Sequence, residues 1–78
     1  MLATVLATVR EWHAEEGWGV LDAPGCPGGA WVHLSVITGG DGGRTLDPGE
    51  WVRADITPVK RSGFDFRAQR VQRLTGRR

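Results

Sequence analysis

The chain has one cysteine, no tyrosine and no long apolar run. Cys26 alone cannot form an intramolecular disulfide, which suits a reducing cytosol, and the expected location is cytoplasmic. It lies in a Pro/Gly-rich loop with nothing beside it to lower its pKa, so a free thiol without a role is expected. The first nine residues are apolar but too short to span a bilayer, and they lack a basic n-region and a cleavage site. No membrane segment and no targeting signal are expected. His13, His33, Cys26 and Asp22 have no metal-ligand spacing. Ser35, His33 and an aspartate form no triad in any arguable geometry. Neither a phosphate-binding loop nor a metalloprotease helix is present. The chain is therefore expected to hold no metal and no cofactor, to take no small-molecule substrate and not to be an enzyme.

What is present is glycine, tryptophan and alternation. The 78 residues include 12 Gly, four Pro and four Trp. A chain of this size is one domain that buries only about 60% of its unfolded surface, with a stability of roughly 3–5 kcal/mol. It has room for one small core and a surface site, but not for a deep catalytic cleft. Charge is uneven: residues 1–50 carry two basic groups against seven acidic ones, and residues 51–78 eight against two, giving −5 and +6. A basic half suits a polyanion; alternatively, folding mixes the two signs over one surface.

The central stretch is Glu16-Gly17-Trp18-Gly19-Val20-Leu21. As a strand it puts Trp18 and Val20 on one face and Leu21 on the other. The flanking glycines leave no Cβ beside the indole, so a planar group could lie flat on it. Ala30-Trp31-Val32-His33-Leu34 answers it, with Trp31 and His33 on one face and Ala30, Val32 and Leu34 on the other. Adjacent strands would bring Trp18, Trp31 and His33 onto one exposed surface over an apolar core, and such surfaces bind unstacked bases. The plainer alternatives are core tryptophans and a surface histidine without a role.

In chain order, Met1–Val9 leaves helix and strand both open. From Ala7 to His13 a strand is expected, with Val9 inward and Arg10 outward, and residues 1–6 either fray or extend it. An apolar extension at a sheet edge can also pair with another chain. Ala14–Gly17 reads as a turn, Trp18–Asp22 as strand two, 23–29 as turn chemistry and Ala30–Leu34 as strand three. Ser35-Val36-Ile37 reads as a helical turn capped by Ser35, and 38–43 as a loop. Asp47-Pro48-Gly49-Glu50 reads as a tight turn with Pro48 at its first central position. Strand four is Trp51–Thr57, Lys60–Gly63 is a turn, and strand five is Phe64–Leu74 with a bulge before Val71. Trp51 and Trp12 are expected mostly to pack, and His13 to serve the turn. The fold expected is all-β, a five-stranded antiparallel barrel.

Gly17-Trp18-Gly19-Val20-Leu21 and Trp31-Val32-His33-Leu34-Ser35 resemble the two ribonucleoprotein motifs of the cold-shock domain family. The likeness runs from about Thr8 to Leu74 and includes Arg10, Trp12, the Ala14-Glu15 turn, Arg44-Thr45-Leu46 and the Ala68…Val71 ending. It implies an oligonucleotide-binding-type (OB-fold) barrel over residues 7–74, an extension over 1–6 and a basic tail over 75–78. The activity it implies is binding of single-stranded RNA or DNA with little sequence preference, as an RNA chaperone or expression regulator. The nucleic-acid-binding residues implied or read beside them are Arg10, Trp12, Trp18, Trp31, His33, Lys60, Arg61 and Arg67. Glu11 and Glu16 stand where the family has Trp and Lys, Val20 and Leu34 replace Phe, Gly43 replaces a loop aromatic, and His13 stands for Asn. Since a stacked base is worth roughly 1–3 kcal/mol, binding is expected to be weaker and more salt-sensitive than the family norm. The alternative is a protein-interaction module on the same barrel. A monomer is expected, with a homodimer through the N-terminal segment as a side branch.

Overall fold

The structure is a computed structural model that describes residues 3–26, 28–38, 45–61 and 64–74, with only the backbone described for 3, 60, 61 and 64. Six strands form: β1 (Ala3–His13), β2 (Trp18–Asp22), β3 (Ala30–His33), β4 (Ile37–Thr38), β5 (Trp51–Arg61) and β6 (Phe64–Arg73). They lie in the order β3-β2-β1-β5-β6-β4, and a further β3–β6 pairing closes the five longer strands into a barrel.

The all-β expectation holds, but the sheet is mixed rather than antiparallel. Four closing pairs are antiparallel, whereas β3 runs parallel to β6. The reason is parity. Directions cannot alternate around a ring of five, so one pair must be parallel. The short β4 also lies parallel to β6.

β1 is shared between the two halves of the wall. Ala3 to Thr8 pair with Ile56 to Trp51, and Thr8 to His13 pair with Asp22 to Trp18. Residues 3–6 thus extend the strand. The switch of partner is marked by a bulge, because Val9 opposes Leu21 while Glu11 opposes Val20, leaving Arg10 as the extra residue. A bulge resets which residues face in. Val9 faces the core, Arg10 and Glu11 face out, and Trp12 turns inward.

The bulge expected before Val71 is present: Ala68 opposes Ile56 and Arg70 opposes Asp55, so Gln69 is extra. It lets both Ala68 and Val71 point inward despite a spacing of three. The strand expected to stop at Thr57 instead runs through Pro58 to Arg61, which pairs with Phe64. Pro58 is tolerated there because the register shifts beside it. Lys60 and Arg61 are therefore strand residues rather than turn residues. Residues 1–2, the loop positions 39–44 with Gly43 and Arg44, Ser62-Gly63 and the 75–78 tail lie outside the described residues.

The interior is filled by Ala7, Leu21, Val32, Val52, Ala54 and Val71 among others, and Leu46, just before the Asp47–Glu50 turn, is buried with them. Glu50 is buried beside them. Its carboxylate accepts Nε of Arg73 at 2.6 Å, Nη2 of Arg73 at 3.1 Å and the backbone N–H of Asp47 at 3.0 Å. Asp47–Glu50 is a type II turn: Glu50 N–H donates to the Asp47 carbonyl at 3.0 Å, and Gly49 has φ +88°. The turn is fastened to β1 by bonds from Val9 N–H to Glu50 O and from Gly49 N–H to Val9 O, at 3.0 and 2.7 Å. Among the described residues no helix is long and apolar enough to cross a membrane.

Candidate nucleic-acid interface

The β1–β2 hairpin sets the outer face. Its turn closes with Gly17 N–H donating to the His13 carbonyl at 2.7 Å, with Gly17 at φ +78°. A Cβ on Gly17 would lie 2.3 Å from Cδ2 of Leu34, and one on Gly19 would lie 2.4 Å from the Glu11 carbonyl and 2.6 Å from Cε3 of Trp12. This corrects the reading of the two glycines. They do not clear space for a ligand on Trp18; they let the hairpin close and let the Trp12 ring pack across Gly19.

The register then lines up the rings. His13 opposes Trp18, and Trp18 opposes His33, so three rings lie across three adjacent strands. One step along, Val20 opposes Trp31, and Trp31 opposes Arg67 across the parallel pair. The His13 and Trp18 rings stack with centroids 4.2 Å apart and planes at 30°. Trp31 and His33 have centroids 5.9 Å apart at 28°. All four rings are half-buried, so each keeps some surface in water. Beside Trp31 and His33 lies a cleft of about 300 Å³, lined also by Ser35, Val36, Arg67 and Ala68. Val20 shares this outer face but is itself covered, because Gly29 packs on it without a Cβ.

His33 is held by its own turn. It, rather than Ser35, caps the 3-10 turn Leu34–Val36, its Nδ1 accepting the Ser35 N–H at 3.1 Å with Ser35 Oγ at 2.8 Å. A ring nitrogen that accepts a backbone N–H carries no proton, so neutral His33 bears its hydrogen on Nε2 and offers a donor to a bound base.

Charge around the rings is divided. Glu11 Oε2 lies 2.8 Å from Nε2 of His13, and Glu16 Oε1 accepts the Trp18 indole N–H at 3.0 Å. Arg10 is already occupied. Its guanidinium donates twice to Asp22, with Nε at 2.8 Å, and once to the Gly28 carbonyl at 3.3 Å. The hydrogen bond to Asp22 raises its pKa further above the ordinary value, against a smaller effect of desolvation. At the other end of the row Arg67 stands half-buried beside Trp31.

Of the residues expected at the site, Trp18, Trp31, His33 and Arg67 come together. Arg10 lies on the same face but is tied to Asp22. Trp12 does not join them: it packs against the core, and its Nε1 is buried with no partner among the described residues. The backbones of Lys60 and Arg61 lie in β5, and their side chains are outside the described part. His13 was expected only in the turn. The signal that would have found it is the hairpin itself, since a four-residue turn over 14–17 must set His13 opposite Trp18. Trp51 was expected to pack but is 54% exposed, on the outer face of β5 where it opposes Thr8. Cys26 is half-buried, and burial pushes its thiol pKa up. Among the described residues no three His, Cys, Asp or Glu side chains gather as a metal site. No protein-family model matches the chain, and no curated protein matches it.

Proposed function

We propose that the protein binds single-stranded RNA or DNA on the outer face of β1–β3, with bases stacked on Trp18, His33 and Trp31. The observation that carries this reading is the row of four half-exposed rings on one face of a closed barrel. Its support from the fold is the connectivity. In chain order the five longer strands close as first-second-third-fifth-fourth, and an oligonucleotide-binding barrel uses the face of its second and third strands in this way. Arg67 would meet the backbone at the Trp31 end, and binding would fall with salt as phosphate contacts do. The protein would act as an RNA chaperone or expression regulator in the cytoplasm, without catalysis.

The test is a fluorescence titration with oligothymidine or oligouridine at low salt. Partial quenching is expected, since Trp12 and Trp51 lie outside the row, and Trp18→Ala combined with Trp31→Ala should abolish it. Absence of quenching in the wild type would refute the reading.

A second reading, a protein-interaction module, is favoured by one observation. Leu6, Trp51 and Leu74 are 52, 54 and 41% exposed, with Leu6 and Trp51 on the outer face shared by β1 and β5. β5 pairs with one edge of residues 3–8 and β2 with the other only from Thr8 onward, so a second copy has both these side chains and the second edge of residues 3–7 to meet. A mass that rises with concentration and ignores added oligonucleotide would support this reading instead.

A further inference from the structure

We infer that the Trp18 end of the ring row selects guanine, with the carboxylate of Glu16 reading the base edge. This rests on the proposed binding of single strands and adds a preference at one position within it. The Trp18 indole carries His13 on one face and no ring on the other among the described residues. At the edge of Trp18 a stacked base meets carboxylates, while the Nε2–H donor of His33 lies across the row. Glu16 is fixed against the indole edge by the Trp18 Nε1–H at 3.0 Å, and its second oxygen has no partner among the described residues. Glu11, fixed by His13 at 2.8 Å, likewise keeps one oxygen without a partner. Because an indole N–H lies in the ring plane, Oε1 of Glu16 sits beside the ring, and the other oxygen can reach the level of a base stacked above.

A carboxylate is only an acceptor, with room for further bonds on both oxygens. Guanine alone presents two adjacent donors, N1–H and the N2 amine, on one edge, and the second Glu16 oxygen can accept from both. Cytosine and adenine present one amine beside an acceptor nitrogen. Uracil and thymine present one N–H between two carbonyls, which a carboxylate repels. Bases in single strands expose these edges for reading. Arg10, on the same face, is occupied by Asp22 and Gly28 and does not cancel the acceptor character. The acidic groups beside Trp18 would then read a base edge while the phosphates pass toward Arg67.

The experiment compares short oligothymidines carrying one central guanine, adenine or hypoxanthine with the all-thymidine strand, at fixed salt. Donors shared with one charged acceptor give about a tenfold preference for the guanine strand over thymidine. Adenine, which stacks as broadly but lacks the donor pair, should fall well below guanine, and hypoxanthine, which lacks the N2 amine, should lose most of the gain. Glu16→Gln should erase the preference, bringing the guanine strand to the affinity of the thymidine strand measured with the same variant. Equal affinity for all four strands would overturn the inference and leave the binding proposal standing. A guanine preference that persists in Glu16→Gln would also overturn it, since stacking or another group would then be responsible. Failure of every strand to bind would mean that the binding proposal itself is wrong.

Discussion

Trp12 and Trp18 stand six residues apart and face opposite sides of the same sheet. The four-residue turn over 14–17 sets His13 opposite Trp18 and Trp12 opposite Gly19, so the two indoles point to opposite faces and Trp12 packs inside across Gly19. The four tryptophans therefore divide by role. Trp18→Ala and Trp31→Ala should each weaken oligonucleotide binding by about 1–3 kcal/mol. Trp12→Ala should instead lower stability by about 3–5 kcal/mol, as read by chemical denaturation. Trp51→Ala should leave both affinity and stability nearly unchanged, because the ring is more than half exposed. At Cys26, burial raises the pKa, so less thiolate forms at neutral pH than for a free thiol. Alkylation by iodoacetamide, followed by mass, should be slow at pH 7 and accelerate only as the pH rises. Rapid labelling at pH 7 would contradict the burial of that thiol. Period-two alternation is what made Trp18, Trp31 and His33 legible together. The role of Trp51 was not legible, because hydrophobicity does not say which face of a strand is covered by a neighbour.

At the scale of elements, β2 runs over Trp18–Asp22 as its flanking turn residues indicate, and the Asp47–Glu50 turn follows from Pro48 and Gly49. β5 is longer than the alternation suggests, because Pro58 reads as a stop and only the adjacent register shift makes it tolerable. The parallel closure could have been read from the strand count, since five strands cannot alternate around a ring. Arg73 at the end of β6 ties that strand to the turn before β5 through Glu50, and both side chains are largely buried. Removing Arg73 withdraws two charge-assisted hydrogen bonds from the Glu50 carboxylate, each worth about 1.5–3 kcal/mol. Arg73→Met alone should therefore bring the midpoint of urea unfolding close to zero. Arg73→Met with Glu50→Leu should recover much of the loss. A double variant no better than the single one would show that the pair contributes more than mutual neutralisation. In the hairpin, Gly17→Ala should also destabilise, because the new methyl meets Leu34 at a positive φ.

For the whole molecule, the contrast between an acidic first half and a basic second half does not survive folding intact. Arg73 of the second half is spent on Glu50 of the first, and Arg10 is paired with Asp22 within the first. Folding thus draws one cation of the basic half onto the acidic half, while Arg67 keeps a cation at the ring row. If Arg67, Lys60 and Arg61 meet about three phosphates, log K should fall against log salt with a slope of about −2. A slope near zero would separate the rings from any phosphate contact. The central claim is that the Trp18–His33–Trp31 face receives bases, and the most direct measurement follows the four indole N–H signals in a ¹⁵N correlation spectrum during titration with oligothymidine. The signals of Trp18 and Trp31 should move together and saturate while those of Trp12 and Trp51 stay in place. Movement of Trp51 alone, or of no indole at all, would contradict the account.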